Sequence, residues 1–543
     1  MKRVILLLIL GLVSAQFVNA ESWQHDLAPL PSMKEAQRKY ARQDVDVPQK
    51  KWHNDLRSLF LKHQANIMEI NIRTFFAIDD NGNGIIEHEF GELSGDFISA
   101  MMGVRELFYL GINTVHVLPI TAIGKTHALG NAGSLYALNS FTELNPQLVS
   151  SQLKEVSALE QFKLFVNECH KYNIRVVVDL PSCGSYDYYM KNPGLFEIGK
   201  NGQPISPADW SDVLLFKVKN ANGGLNEELY NLHKEFVDMM LSAGVDGIRA
   251  DVATIKPFEF WQRLISYTRS KDPQFLFLAE ASDSWTSAPS PQAVFTPYDK
   301  LLEAGFDGYY GSYFNFKNLK NADDFANIVN FDIKLSQKYN GQKATIGSFM
   351  THDETSPILE GGVEYVNQLI WLNALLPVNS YIVDGITTGD AFLYDYANMP
   401  ATTTYTDCNT YYVHKGKLDI FNFSRTPGGK RFEILEEFRK ANKFKASPMS
   451  LGFVNNANFK AQKSPNPNVW VFSRCNGNDS LLIILNKDLH VAQSAKLKIK
   501  GVNEDSTVVP LRFVSESKKT KNGLDVSLQP SELQIFYLPG IKL

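Results

Sequence analysis

The chain has 543 residues, 44% hydrophobic and 21% charged, enough to bury a large core in two or three domains. Its 54 basic and 58 acidic residues leave a net charge of −4 with no long run of Lys and Arg, which argues against a nucleic-acid partner. Cys169, Cys183, Cys408 and Cys475 lie far apart, without CxxC or Cys/His ligand spacing. That excludes a disulfide scaffold; mostly buried thiols are expected, with one or two bridges permitted in an oxidising compartment.

Lys2 and Arg3 precede an apolar stretch from Val4 to Phe17 that closes with Val18-Asn19-Ala20, the pattern of a cleaved secretory signal over residues 1–20. The apolar run is shorter than the ~20 residues that span a bilayer. The mature chain is therefore expected to begin near Glu21, to be secreted or periplasmic, and to have no membrane association. Residues 21–66 are polar and helical in character, including MKEAQRKYARQ (33–43), and predict an N-terminal extension.

From residue 67, strand-like runs alternate with amphipathic stretches: IMEINIRTF (67–75), TVHVLPI (114–120), IRVVVDL (174–180), GVDGIRA (244–250), FLFLAEA (275–281), FDGYYG (306–311), ATIGSFM (344–350) and NSYIVDG (379–385). Eight such units predict an α/β fold, a closed (β/α)8 barrel over 67–445. Just after the first run, DDNGNGIIE (79–87) carries oxygen-bearing side chains at Asp79, Asn81, Asn83 and Glu87 with glycines between them. It looks like a loop curled around Ca2+, against the alternative of a metal-free Asn-Gly turn. The third unit is interrupted by a Gly-, Pro- and aromatic-rich stretch at about 181–218, read as a small inserted subdomain. After a helix around 433–445, short alternating runs (469–474, 480–486, 495–500, 508–514, 524–529 and 532–539) predict a C-terminal antiparallel β-sandwich over 446–543.

Asp251, Glu280 and Asp353 each follow one of these apolar runs, at the strand tips where a barrel builds its chemistry. Tips of neighbouring strands lie about 4.8 Å apart, so Asp251 and Glu280 are placed for the ~5–5.5 Å separation of a retaining glycosidase. Arg249 shares the direction of Asp251, being two residues earlier in a strand, and is expected to keep that carboxylate charged. The apolar approach to Glu280 is expected to raise its pKa and keep it a proton donor. Asp353, after His352, is assigned to hydrogen bonds that tighten on a distorted sugar. Any one of these acids alone reads first as a helix cap; the three together, with Arg249 and His352, point to a site.

Taken in order, GINTVHVLPI (111–120), IRVVVDL, GVDGIRADVA (244–253), FLFLAEA, THDE (351–354) and LLPVNSYIVDG (375–385) resemble the α-amylase family of glycoside hydrolases, also called family 13, over about 67–540. The resemblance implies Asp251 as nucleophile, Glu280 as acid/base and Asp353 as transition-state stabiliser, with Arg249 and His352 beside them. It also implies Tyr136 as a stacking aromatic, and the Ile85 carbonyl as a further calcium ligand. Three departures stand out: Cys183 and Gly184 replace the usual Asn-His pair, Ala137 replaces an Asp, and Thr351 replaces an Asn.

The function so expected is retaining cleavage of α-glucosidic bonds in α-glucan or related oligosaccharides, without an organic cofactor. Two alternatives accompany it. A transglycosylase, maltosyl transferase or sugar isomerase would use the same acids, and a non-catalytic sugar-binding relative would have kept only the fold.

Overall fold

The computed structural model describes residues 52–77, 88–128, 133–207, 210–389, 392–393, 412–413, 431–455 and 459–543. The expected signal at 1–20, the stretch at 33–43, the expected calcium loop at 79–87 and Cys408 lie outside the described residues. Of the N-terminal extension, residues 52–66 are described and include the short helix Leu56–Leu61.

Every apolar run expected to enter the barrel supplies a strand: β1 (Asn66–Ile70), β2 (Thr114–Val117) and β3 (Arg175–Leu180), then β6 (Gly247–Ala250), β7 (Leu276–Ala279), β8 (Gly308–Tyr309), β9 (Ala344–Thr345) and β10 (Ser380–Val383). Between the third and fourth of these, β4 (Cys183–Ser185) pairs antiparallel with β5 (Val213–Leu215) inside the inserted stretch. The eight barrel strands run parallel in the order β10-β1-β2-β3-β6-β7-β8-β9, and a parallel bridge from Ile346 to Asn379 joins the last to the first. The fold is a (β/α)8 barrel. Three of the helices between strands start at polar caps, Ser157 for Ala158–Lys171, Asn226 for Glu227–Ser242 and Asn321 for Ala322–Lys338. Each cap side chain accepts a backbone N–H that the first helical turn leaves unpaired.

Beyond the barrel lie β11 (Phe392–Leu393), β12 (Tyr412–Val413) and the helices Arg431–Lys445 and Pro448–Asn455. The chain then changes to β13 (Phe459–Gln462), β14 (Val469–Asn476), β15 (Asp479–Asn486), β16 (Gln493–Lys498), β17 (Val509–Arg512), β18 (Ser517–Thr520), β19 (Gly523–Leu528) and β20 (Leu533–Leu538). They form an antiparallel five-stranded sheet, β13-β14-β15-β20-β17, and a three-stranded one, β16-β19-β18. Apolar side chains of both sheets, among them Val471, Ile484, Leu497, Val526 and Leu538, share one core. β13 and β18 were not expected from sequence; FKAQ and SKKT are polar and half exposed, so period-two patterning is faint there.

Side chains pointing into the barrel divide into two layers. Ile67, Val177, Leu276, Leu278, Ala344 and Ile346 form an apolar lower layer with Leu56 and Phe60 of the short N-terminal helix. Phe60 fits because β8 has glycine where it passes: a Cβ on Gly308 would come within 2.6 Å of the Phe60 ring. Farther along the same strands the inward positions turn polar, at Glu69, His116, Asp179 and Arg249. Phe60→Ala should empty the plug and lower the unfolding free energy by about 3–5 kcal/mol, measured as a shift of the urea midpoint at unchanged slope.

Candidate active site

Asp251 and Glu280 follow β6 and β7 directly, and these neighbouring strands pair in register, Ala250 opposite Ala279. Their carboxylates converge on one guanidinium. Arg249 Nη1 lies 3.0 Å from Asp251 Oδ1, and 2.9 and 3.0 Å from the two oxygens of Asp179, while Nη2 lies 3.0 Å from Glu280 Oε2. Its Nε donates to the Tyr310 hydroxyl at 3.3 Å. One cation therefore serves three carboxylates, which holds the two candidate reacting groups within the span of a single planar fork.

The network continues around the upper layer. The Tyr136 hydroxyl donates to Asp179 Oδ2 at 2.7 Å and lies 3.1 Å from His352 Nε2, with the two rings stacked 5.5 Å apart. His352 Nδ1 sits 2.8 Å from Glu69 Oε1 and Nε2 3.5 Å from Asp353 Oδ2. His116 bridges Asp179 at 3.2 Å and the Tyr381 hydroxyl at 2.7 Å, and Tyr381 donates in turn to Glu69. Asp353 is at the open edge, its side chain 41% exposed. Its backbone N–H donates to Thr351 Oγ1 at 3.1 Å, so threonine fixes the turn at the position where an asparagine was expected.

Burial pushes the Glu280 carboxyl from its ordinary 4.5 up to about 8, with the Asp251 and Asp353 charges adding to it against Arg249 and the Val252 N–H. Burial also raises Asp251, joined by the Asp179 charge, against Arg249 and the hydrogen bonds from Ser182. The expectation that Arg249 simply holds Asp251 charged is thus incomplete, because that arginine is shared. The hydrogen bonds still rank the two acids. Asp251 accepts one bond from Arg249 on Oδ1 and two from Ser182, N–H at 2.9 Å and Oγ at 2.6 Å, on Oδ2. Glu280 takes both its donors, Arg249 and the Val252 N–H at 2.6 Å, on Oε2. More donors favour the ionised form, so the shared proton rests on Glu280, and its Oε1 is the atom to carry it. Burial lowers the His352 imidazole, but the Asp353 and Glu69 carboxylates outweigh it and lift it to about 9.

Val252, which aims its N–H at Glu280, is a β-branched residue in the left-handed region, φ 34° and ψ 54°. That conformation costs on the order of 1–3 kcal/mol, and here it accompanies the turn by which the Val252 N–H meets Glu280 Oε2.

Two of the three departures from the expected pattern have a physical cause in the inserted stretch. Cys183 and Ala137 are buried in one apolar cluster with Val213 and Leu215 of β5, Val252 and Ile255. A Cβ on Gly184 would lie 2.7 Å from the Phe196 ring and 2.8 Å from Phe216, so no histidine fits there. Tyr188 belongs to the same aromatic packing, with Phe141, Phe196 and Phe216. The free thiols Cys169, Cys183 and Cys475 are buried.

Sequence reasoning brought Asp251, Glu280, Asp353, Arg249, His352 and Tyr136 to this place but missed Glu69, His116, Asp179, Tyr310, Tyr381 and Ser182. The available signal was a polar residue at an inward position of an apolar strand, as in IMEI, TVHV and RVVVD.

Comparison with known proteins follows the same lines. No family model matches the chain. The α-1,4-glucan:maltose-1-phosphate maltosyltransferase of Cereibacter sphaeroides is 22% identical over 469 residues, 81% of this chain and 64% of that protein. The enzyme of the same name from Corynebacterium glutamicum is 22% identical over 433 residues, 75% of this chain and 57% of that protein. The one from Bifidobacterium animalis subsp. lactis is 27% identical over 217 residues, 38% and 28% of the two chains. The matches thus span 28% to 64% of these relatives' length. Among solved structures, an α-amylase from Lactobacillus plantarum superposes with a TM-score of 0.60 at 19% identity, over 88% of this chain and 99% of the other. A trehalose-6-phosphate hydrolase from Bacillus licheniformis gives 0.58 at 14% identity, over 88% and 99%. The resemblance is to the α-amylase family. At these identities the structural matches speak for the shared barrel and C-terminal sheets.

The shift of Glu280 has a checkable consequence. The fold binds its proton more tightly than the unfolded chain does, so between pH 4.5 and about 8 stability falls as pH rises. Glu280→Gln should flatten that decline by roughly 1–3 kcal/mol, the change being divided with Asp251, as read from urea unfolding at a series of pH values.

Proposed function

We propose that this protein is a retaining α-glycosyl enzyme working by double displacement. Asp251 attacks the anomeric carbon and Glu280 protonates the departing oxygen. A sugar hydroxyl or water, deprotonated by Glu280, then displaces Asp251. Asp353 and His352 serve the strained ring. The observation that carries the reading is the single Arg249 fork holding both acids at the tips of neighbouring strands. A non-catalytic sugar binder has no need of a raised acid beside an ionised one.

Between water and sugar as acceptor, the maltosyltransferase names of relatives matched over most of this chain favour sugar. The proposed substrates are accordingly α-linked glucose oligosaccharides, with a phosphorylated disaccharide donor as the first to try. Export forms part of the proposal, supported by the Lys2-Arg3 start and the apolar run closing at Ala20. So does a calcium ion at 79–87, supported by Asp79, Asn81, Asn83, Glu87 and the Ile85 carbonyl.

The test is to incubate purified protein with maltose 1-phosphate, maltose, trehalose and soluble α-glucan and to follow products by NMR. Retained configuration and longer chains are expected; new reducing ends without transfer would assign hydrolysis instead, and inverted product would reject the double displacement. Asp251→Asn and Glu280→Gln should each lower turnover by roughly 10³-fold, and full activity in either would remove the assignment. The alkaline limb of kcat/KM should fall near pH 8, where Glu280 loses its proton.

A further inference from the structure

Asp251 presents its two oxygens to unlike surroundings. Among the described residues Oδ1 has one hydrogen-bond donor, Arg249 Nη1, whose two hydrogens are also claimed by both oxygens of Asp179. Oδ2 is held by two donors of one residue, the Ser182 N–H at 2.9 Å and Oγ at 2.6 Å. Ser182 lies just past β3, buried, and its other hydroxyl neighbour, Cys183 Sγ at 3.8 Å, is a weak acceptor. Behind it, the buried Lys256 Nζ donates to the Ser182 carbonyl at 3.2 Å, fixing the peptide that aims both donors.

We propose that Ser182 is a positioning residue that divides the work of the Asp251 carboxylate, holding Oδ2 as the retained oxygen and leaving Oδ1 as the one that attacks and departs. This rests on the glycosyl-transfer reading above. In the first step Oδ1 forms the bond to the anomeric carbon as the glycosidic bond breaks, and Glu280 gives its proton to the leaving oxygen. Oδ2 is then the carbonyl oxygen of the ester, already hydrogen-bonded twice. In the second step the C1–Oδ1 bond breaks and its electron pair returns to the carboxylate. The acceptor hydroxyl bonds to C1 and passes its proton to Glu280. Negative charge grows on Oδ2 as Asp251 leaves, and the Ser182 donors meet it there without rearrangement. Losing the hydroxyl should therefore slow the second step more than the first.

The proposal separates Ser182 from a merely structural role through the titration of Asp251, which needs no turnover. The charged and titratable groups facing Asp251 are Arg249, Asp179, Glu280, Tyr136, Cys183 and Lys256, and none is altered by Ser182→Ala. With 13C-labelled aspartate carboxyls, and the signal absent in Asp251→Asn assigned to Asp251, its midpoint should rise by about one pH unit in Ser182→Ala. It should return toward the wild-type value in Ser182→Thr, which keeps the hydroxyl. With an α-glycosyl fluoride donor, Ser182→Ala should accumulate glycosyl-enzyme, seen by intact mass, with kcat down about tenfold. An unmoved midpoint in Ser182→Ala overturns the proposal, even where Asp251→Asn abolishes turnover. Full turnover in Asp251→Asn overturns the glycosyl-transfer reading, and with it the division of the two oxygens.

Discussion

The candidate site depends on one buried cation. Arg249 is 1% exposed and touches Asp179, Asp251 and Glu280. Taking a carboxylate or guanidinium out of water costs several kcal/mol per ion, and replacing such a cluster by well-packed apolar residues is often neutral or stabilising. Three acids on one arginine leave a surplus of negative charge that the cluster does not fully compensate. The surplus is relieved by protonation, and the acid with fewest donors takes the proton. The Glu280 carboxyl is raised because burial is met by little positive charge, its neighbours having claimed most of it. A site built for stability alone would pair each acid separately, as Asp307 is paired with Arg57 and Arg269 at the barrel's outer side.

The barrel supports this arrangement by a division along its axis. The lower layer, plugged by Leu56 and Phe60, is apolar and close-packed. The strands enter the upper layer with their directions set, and a rigid base keeps side chains at the tips within the tolerance that chemistry demands. The outer ring of the polar layer, Glu69, His116, Asp179, Tyr310 and Tyr381, contains no group assigned to bond-making. Its hydrogen bonds orient Arg249, His352 and Tyr136, which in turn face the reacting acids. Tyr136 illustrates the shift in meaning. Its ring stacks on His352 and its hydroxyl binds Asp179, so it ties two strand tips together.

Much of this was readable in the chain. The strand-tip acids stand out as a set: any one alone reads as a helix cap, but three at the ends of separate barrel units, with Arg249 and His352 beside them, do not. The barrel strands were legible for the same reason: RVVVDL and LFLA carry β-branched or bulky apolar residues with Gly or Pro nearby. The polar layer was harder. Glu69 and His116 sit inside strands that read as wholly buried, and periodicity cannot tell an inward polar residue at a site from a paired one in the core. Ser182 was out of reach altogether, since a lone serine after Pro181 acquires meaning only when β3 and β6 are brought side by side with Asp179 opposite Arg249.

The inserted stretch shows how far a local substitution is a consequence of packing elsewhere. An Asn-His pair after β3 requires open, polar space. In this chain β5 brings Val213 and Leu215 against Cys183 and Ala137, while Phe196 and Phe216 close over Gly184. The two missing polar contacts are therefore not independent losses to be repaired one at a time: restoring a histidine at 184 would first have to displace two aromatic rings. The apolar wall and the serine that binds Asp251 come from the same short turn, residues 182–184. In place of the Asn-His pair that the resemblance implies, that turn carries a serine that holds the Asp251 carboxylate. Under the glycosyl-transfer reading proposed above, this side would discriminate between sugars by shape and exclusion, because a buried apolar wall offers them no hydrogen bond.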